Sequence, residues 1–234
     1  MASIAENLQL VRQRIARGCN DARRPAQSVT LLAVGKTFGA TQLREAFAAG
    51  QRDFGENYVQ EALAKIDALA DLRQHLRWHL IGPLQSNKTR AVAEAFDWVH
   101  SVDRLKTAQR LAEQRPAGLP PLQLCLQVNI SGEASKSGLA PAEVPALAHA
   151  VAALPAERVR LRGLMAIPEP APDFEAQRLP HRRLRELLHA LNALNVSGLA
   201  LDTLSMGMSA DLDAAVVEGA TIVRVGSAIF GARG

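Results

Sequence analysis

The chain is 234 residues long, 48% hydrophobic and 21% charged, with 27 Lys and Arg against 23 Asp and Glu for a net charge of +4. That apolar fraction excludes a disordered or low-complexity chain, and the length suits one α/β barrel. A slight basic excess without a basic stripe argues against a nucleic-acid surface, and two cysteines, Cys19 and Cys125, are too few for a disulfide framework or a zinc site.

So few cysteines suggest a reducing compartment. The opening residues MASIAENLQLVRQR lack a basic region followed by an apolar one, and no apolar run approaches the roughly 18–20 residues of a membrane span. The expectation is a cytoplasmic protein without membrane attachment, forming a single domain over residues 1–234.

Ile4, Leu8, Val11 and Ile15 recur at helical spacing and predict an N-terminal helix ending near Gly18. The sequence Arg23-Arg24-Pro25 breaks it, and strands then alternate with helices. Residues 29–35 form an apolar run that reads as a buried first strand, with a helix from about Thr41. Residues 53–55 give a second strand and 59–69 its helix. The third strand is 77–82, with a helix from about Ser86. The fourth is 98–102, and Asp103 is placed to cap the helix after it. The fifth, 122–130, is the clearest, and Pro141 can open its helix. The sixth is 159–167 with the helix 174–194, and Pro168 to Pro172 make a rigid loop between them. The seventh is 201–206 with the helix 210–218, and the eighth is 221–226, followed by a short turn at 228–230. Eight evenly spaced units behind an extra helix predict a single (β/α)8 barrel rather than a doubly wound open sheet.

In such a barrel the functional residues sit at the carboxyl ends of the strands. Polar or unusual residues fall there on almost every strand: Lys36, Asn57, His79, Ser101, Asn129, Met165, Ser205 and Arg224. Five of the basic residues are lysines, and Lys36 ends the apolar first strand. An ammonium in that setting loses solvation, which frees the amine for Schiff-base chemistry with a carbonyl. Ser205 to Ser209 leave strand seven for a helix with Ser209 at its cap, and Gly226-Ser227 leave strand eight for a short turn. Free amides beside glycine at both places suit an anion, and phosphate sites in these barrels form from those two loops. A reactive lysine after strand one together with a two-sided phosphate cup points to an aldehyde that carries a phosphate. No metal set is expected.

The motifs AVGK at 33–36, FGENYVQE at 54–61, WHLIGPLQSNK at 78–88, GLMAI at 163–167, LSMGMS at 204–209 and IVRVGSAIFG at 222–231 resemble the pyridoxal phosphate homeostasis proteins. That family is similar to the N-terminal barrel of alanine racemase and binds pyridoxal 5'-phosphate (PLP) without an established turnover. The resemblance spans nearly the whole chain and implies that Lys36 forms an aldimine with PLP. It also implies that Arg224 faces the pyridine nitrogen, that Ser209, Gly226 and Ser227 hold the phosphate with Ser205 close by, that Asn57 lies beside the cofactor and that Met165 joins the wall around the ring. Gly35 departs from the serine or threonine expected there.

An arginine at the pyridine nitrogen cannot accept its proton, so the ring is a weak electron sink. Racemases add a tyrosine base from a partner subunit and a second domain, whereas this chain has one tyrosine, Tyr58, and stops after strand eight. The implied role is to buffer or deliver PLP, with apo-PLP enzymes as recipients and a monomeric state. A weak amino-acid racemase is the alternative. A cofactor-free Schiff-base aldolase would need an acid near Lys36, for which His79 and Tyr58 are the candidates. His79 reads as a satisfied barrel residue, and Asp211 and Asp213 as helix-dipole partners that point away from the phosphate. Lys136, in the turn-rich segment after strand five, reads as a solvated loop lysine that could also accept PLP transiently and pass it out.

Overall fold

The computed structural model describes residues 3–133, 137–196 and 198–231. Helix α1, Ile4–Asp21, starts in a capping box: the Ser3 hydroxyl accepts from the Glu6 amide while the Glu6 carboxylate accepts from the Ser3 amide. It buries the stripe Leu8, Val11, Ile15, Gly18 and Cys19. Then come β1 Thr30–Val34, α2 Ala40–Ala48, β2 Asp53–Glu56, α3 Val59–Ala68, β3 Arg77–Leu80, α4 Thr89–Ala95, β4 Trp98–Val102 and α5 Leu105–Gln114. The second half is β5 Leu122–Gln127, α6 Val144–Ala152, β6 Val159–Met165, α7 Phe174–Ala193, β7 Thr203–Ser205, α8 Leu212–Val217, β8 Ile222–Val225 and the single turn α9 Ser227–Phe230.

The eight strands pair in chain order, all parallel, and β8 returns to β1 in the register Thr30↔Ile222 through Ala33↔Val225. This is the expected closed barrel with its additional leading helix. Strand alternation sorts side chains into two cores. Leu31 and Ala33 join the large outer core with Phe54, Trp78 and Phe96, while Leu32 and Val34 meet Ile81 and Ile222 in a small separate cluster. Both cysteines are buried and free.

Three helix starts differ from expectation. Asp103 does not cap α5: Arg104 occupies that position in extended conformation, with Asp103 beside it as an ion pair at 3.8 Å. Pro141 opens a single 3₁₀ turn, Pro141–Glu143, and α6 follows from Val144. Ser209 is not the cap of α8. Asp211 takes that place without a capping bond from its side chain, because its carboxylate is engaged by the Met208 amide at 2.7 Å and by His181 Nε2 at 3.0 Å, which closes a turn ahead of the helix.

Helix α1 packs on α2, α8 and α9, the elements beside the point where β8 meets β1. Arg14 forks onto Asp213 and donates from Nη1 to the Ser209 carbonyl at 2.7 Å, and Asn7 Nδ2 donates to the Ile229 carbonyl at 2.9 Å. The leading helix therefore ties down both loops from which an anion cup was expected.

Candidate cofactor site

A cavity of about 410 Å³ opens at the carboxyl ends of β1, β2, β3 and β8, within the range usual for small-molecule sites. Its wall includes Lys36, Asn57, Ser209, Arg224, Gly226 and Ser227, so six of the eight expected residues meet in one place. The other two do not line it. Ser205 and Met165 are wholly buried, and Ile167 is the residue of that region on the wall.

Lys36 follows β1 after Gly35, half-buried, and Thr37 then turns the chain at φ 71. A β-branched residue in the left-handed region is strained, and such strain collects at sites where the surroundings hold a side chain in place. Among the described residues Lys36 Nζ has no hydrogen-bond or ion-pair partner. Its neighbour Lys65 differs: Nζ donates to both Glu56 oxygens at 2.8 and 2.9 Å and to the Gly35 carbonyl at 2.8 Å. Burial pushes the Glu56 carboxyl up to about 7, against the pull of Lys65. A Cβ at position 35 would stand 2.7 Å from Glu56 Oε1. Gly35 thus fits a backbone backed by this buried pair, which accounts for the absent hydroxyl side chain.

On the same cavity wall as Lys36, the loops after β7 and β8 present Ser209 and Ser227. Among the described residues no acceptor is found for the amides of Ser209, Ala210, Ser227 and Ala228. Gly207 permits the first loop, with φ 91 and no room for a Cβ, which would lie 2.4 Å from that of Ala215. Phe38 on the cavity wall stacks on Phe230 with centroids 5.0 Å apart, joining α9 to the loop after β1. Asp211 and Asp213 point elsewhere, to His181 and to Arg14, and among the described residues the cup has no carboxylate.

Arg224 is buried on the wall. Nη1 donates to Ser205 Oγ and Nη2 to the Ala166 carbonyl, each at 2.8 Å. Burial brings its guanidinium down to about 10, still charged at neutral pH. Ser205 in turn meets His100 Nδ1 at 2.8 Å. His100 and Lys65 carry no motif signal of their own, because their partners lie 105 and 9 residues away in sequence.

The fit to PLP rests on this donor set. Among the described residues the buried Asn57 Oδ1, which borders the cavity, has no partner, and the same wall carries an unpartnered amine, free amides and hydroxyls, and a guanidinium. Lys36 and Arg224 are the only ionisable side chains on the wall among the described residues. His79 is buried elsewhere, against Asp53 and His100, and Tyr58 is 57% exposed and off the wall, so neither supplies an acid beside Lys36. Ser101 donates to the Gly82 carbonyl and does not line the cavity. Asn129 borders an adjoining cavity. Lys136 lies outside the described residues.

The family described as alanine racemase, N-terminal domain, matches residues 1–234. The pyridoxal phosphate homeostasis protein of Pseudomonas aeruginosa is 64% identical over 233 residues, covering 100% of this chain and 97% of that protein. Its namesake in Escherichia coli is 52% identical over 234 residues, covering 100% and 98%. The structure of PipY from Synechococcus elongatus, solved with PLP bound, superposes with a TM-score of 0.83 at 41% identity, over 98% of this chain and 100% of that one.

Proposed function

The chain belongs to the alanine racemase N-terminal-domain family, and from that premise we propose that it binds PLP and serves PLP homeostasis by holding and releasing the cofactor without turning over a substrate. The proposed anchor is Lys36, through a Schiff base to Nζ. Ser209, Gly226 and Ser227 would hold the phosphate, Arg224 the pyridine nitrogen, and Asn57 the ring's edge. When bound, PLP supplies an aldehyde that condenses with a primary amine.

One observation carries the non-catalytic part of this reading: a single amine and a single guanidinium are the ionisable groups facing the cavity among the described residues. Racemisation needs a base on each face of a substrate carbon. Lys36 could serve one face, but the described residues of the wall offer no carboxylate, imidazole or phenol for the other. Arg224, charged and without an acceptor lone pair, takes no proton. The names of the relatives favour homeostasis over racemisation. The proposed recipients are apo forms of PLP enzymes, reached from a monomer. No helix among the described residues is long and apolar enough to cross a membrane, which is compatible with the proposed cytoplasmic location.

The test is to load the protein with PLP and mix it with an apo-PLP enzyme and, separately, with L-alanine. The expected result is restored activity of the recipient and no D-alanine. Racemisation that disappears in Lys36→Ala would contradict the proposal.

A further inference from the structure

Behind Arg224 a line of polar side chains runs through the barrel interior to its opposite end. Arg224 Nη1 is 2.8 Å from Ser205 Oγ, which is 2.8 Å from His100 Nδ1. His100 Nε2 is 3.0 Å from His79 Nδ1, and His79 Nε2 is 3.2 Å from Asp53 Oδ1. Asp53 receives Arg77 Nε and Nη2, both at 2.6 Å, and the Arg77 side chain is 58% exposed. Ser205, His100, His79 and Asp53 are all buried. Asp53, His79 and His100 come from the neighbouring strands β2, β3 and β4, and barrel closure brings Ser205 of β7 to them.

Donor and acceptor counting fixes the direction of every link. Burial raises the Asp53 carboxyl, but the Arg77 fork and the His79 contact outweigh it and bring it to about 2, so Asp53 is ionised and only accepts. The proton facing it must sit on His79 Nε2. Burial, the largest cause, and the charged Arg224 guanidinium hold His100 well below its ordinary value, and that ring is neutral. A neutral His79 with its proton on Nε2 accepts at Nδ1, so His100 donates from Nε2 and accepts at Nδ1. Ser205 then donates its hydroxyl proton to His100 and keeps a lone pair for Arg224.

The reverse direction fails. A charged His79 would force His100 to donate to Ser205, whose oxygen would receive two donors while its own proton found no acceptor among the described residues. Buried polar groups left unpaired are costly, whereas a fully paired network holds one arrangement.

We infer that Asp53, His79 and His100 act through Ser205 as a one-way hydrogen-bond relay that positions Arg224 on the wall of the cofactor cavity. The relay fixes both histidine tautomers and turns the serine lone pair toward the guanidinium. With Nη1 and Nη2 each committed to one bond, Arg224's remaining N–H donors face the cavity in a single orientation. These three are positioning residues, and their importance for PLP rests on the proposed function above.

The test separates the two claims. Nitrogen-15 NMR of histidine-labelled, cofactor-free protein reads the tautomers directly, with His100 assigned from the signals lost in His100→Asn. The relay predicts neutral rings protonated at Nε2 for both His79 and His100. A charged ring, or a proton on His100 Nδ1, overturns it whether or not PLP binds. PLP titration supplies the second arm. His100→Leu, which removes the acceptor for Ser205, is expected to weaken PLP binding about tenfold. His100→Asn, whose amide oxygen can replace Nδ1, is expected to stay within about threefold of the native protein, a difference of roughly one hydrogen bond. Native affinity in His100→Leu, or equal losses in both variants, would overturn the positioning role. Failure of the native protein to bind PLP would instead contradict the proposed function and leave the tautomer result standing.

Discussion

At the scale of single residues, the site depends on which charges are neutralised and which are not. Lys65 is paired with the buried Glu56, and Asp53 with Arg77 and the buried His79, while Lys36 has no partner among the described residues. Asp53 gives a pH signature. Its folded value of about 2 lies below the ordinary 3.8, so the native state binds the proton less readily than the unfolded chain. Its contribution, about 2 kcal/mol, is complete above about pH 4 and is lost as pH falls through 2. Urea unfolding across that window should show the stability gap between native protein and Asp53→Asn narrowing toward pH 2. A gap independent of pH would mean that the carboxylate is not the source. Lys36, Arg224, Ser209 and Ser227 were legible in the sequence because each ends a strand or opens the loop after one, where barrel chemistry collects. Met165 and Ser205 occupy equivalent sequence positions, yet both are wholly buried and off the cavity wall, Ser205 lying behind Arg224 and bonded to its Nη1. His100 had no legible role, since its meaning comes from Ser205, on the other side of the barrel.

At the scale of elements, α1 is the part that a bare barrel would not need. Its Arg14 and Asn7 fasten the loops after β7 and β8 from behind. The ion pair of Arg14 with Asp213 is partly exposed and contributes little to stability, but the bond to the Ser209 carbonyl sets the shape of the proposed phosphate loop. Arg14→Ala should therefore weaken PLP binding about two- to tenfold in a fluorescence titration while moving the melting temperature only slightly. A large melting shift with unchanged affinity would show that the clamp serves the fold alone. Gly207→Ala addresses the same loop more severely. Positive φ and the close Ala215 together predict a loss of about 2–3 kcal/mol on denaturant unfolding, and a stability equal to the native protein would refute that reading. Strands were legible from apolar runs because a parallel barrel buries both faces. Helix starts were less so: Asp211 looked like an ordinary first-turn acid, and only its contacts with Met208 and His181 displace the start of α8.

At the scale of the whole molecule, the count of eight strand–helix units was enough to predict closure, and the β1–β8 register completes it. What composition could not convey is that the barrel interior is divided between a small apolar cluster and a polar column reaching toward the cofactor cavity. The cavity lies where the last strands meet the first, so barrel closure puts anchor, anion cup and guanidinium on one wall. The most direct measurement is borohydride reduction of the PLP-loaded protein, followed by absorbance spectroscopy and peptide mass spectrometry beside Lys36→Ala. A visible band lost on reduction, with a pyridoxyl adduct on Lys36 and none in the variant, is the predicted result. A protein that stays colourless with added PLP, or an adduct carried on another lysine, would contradict it.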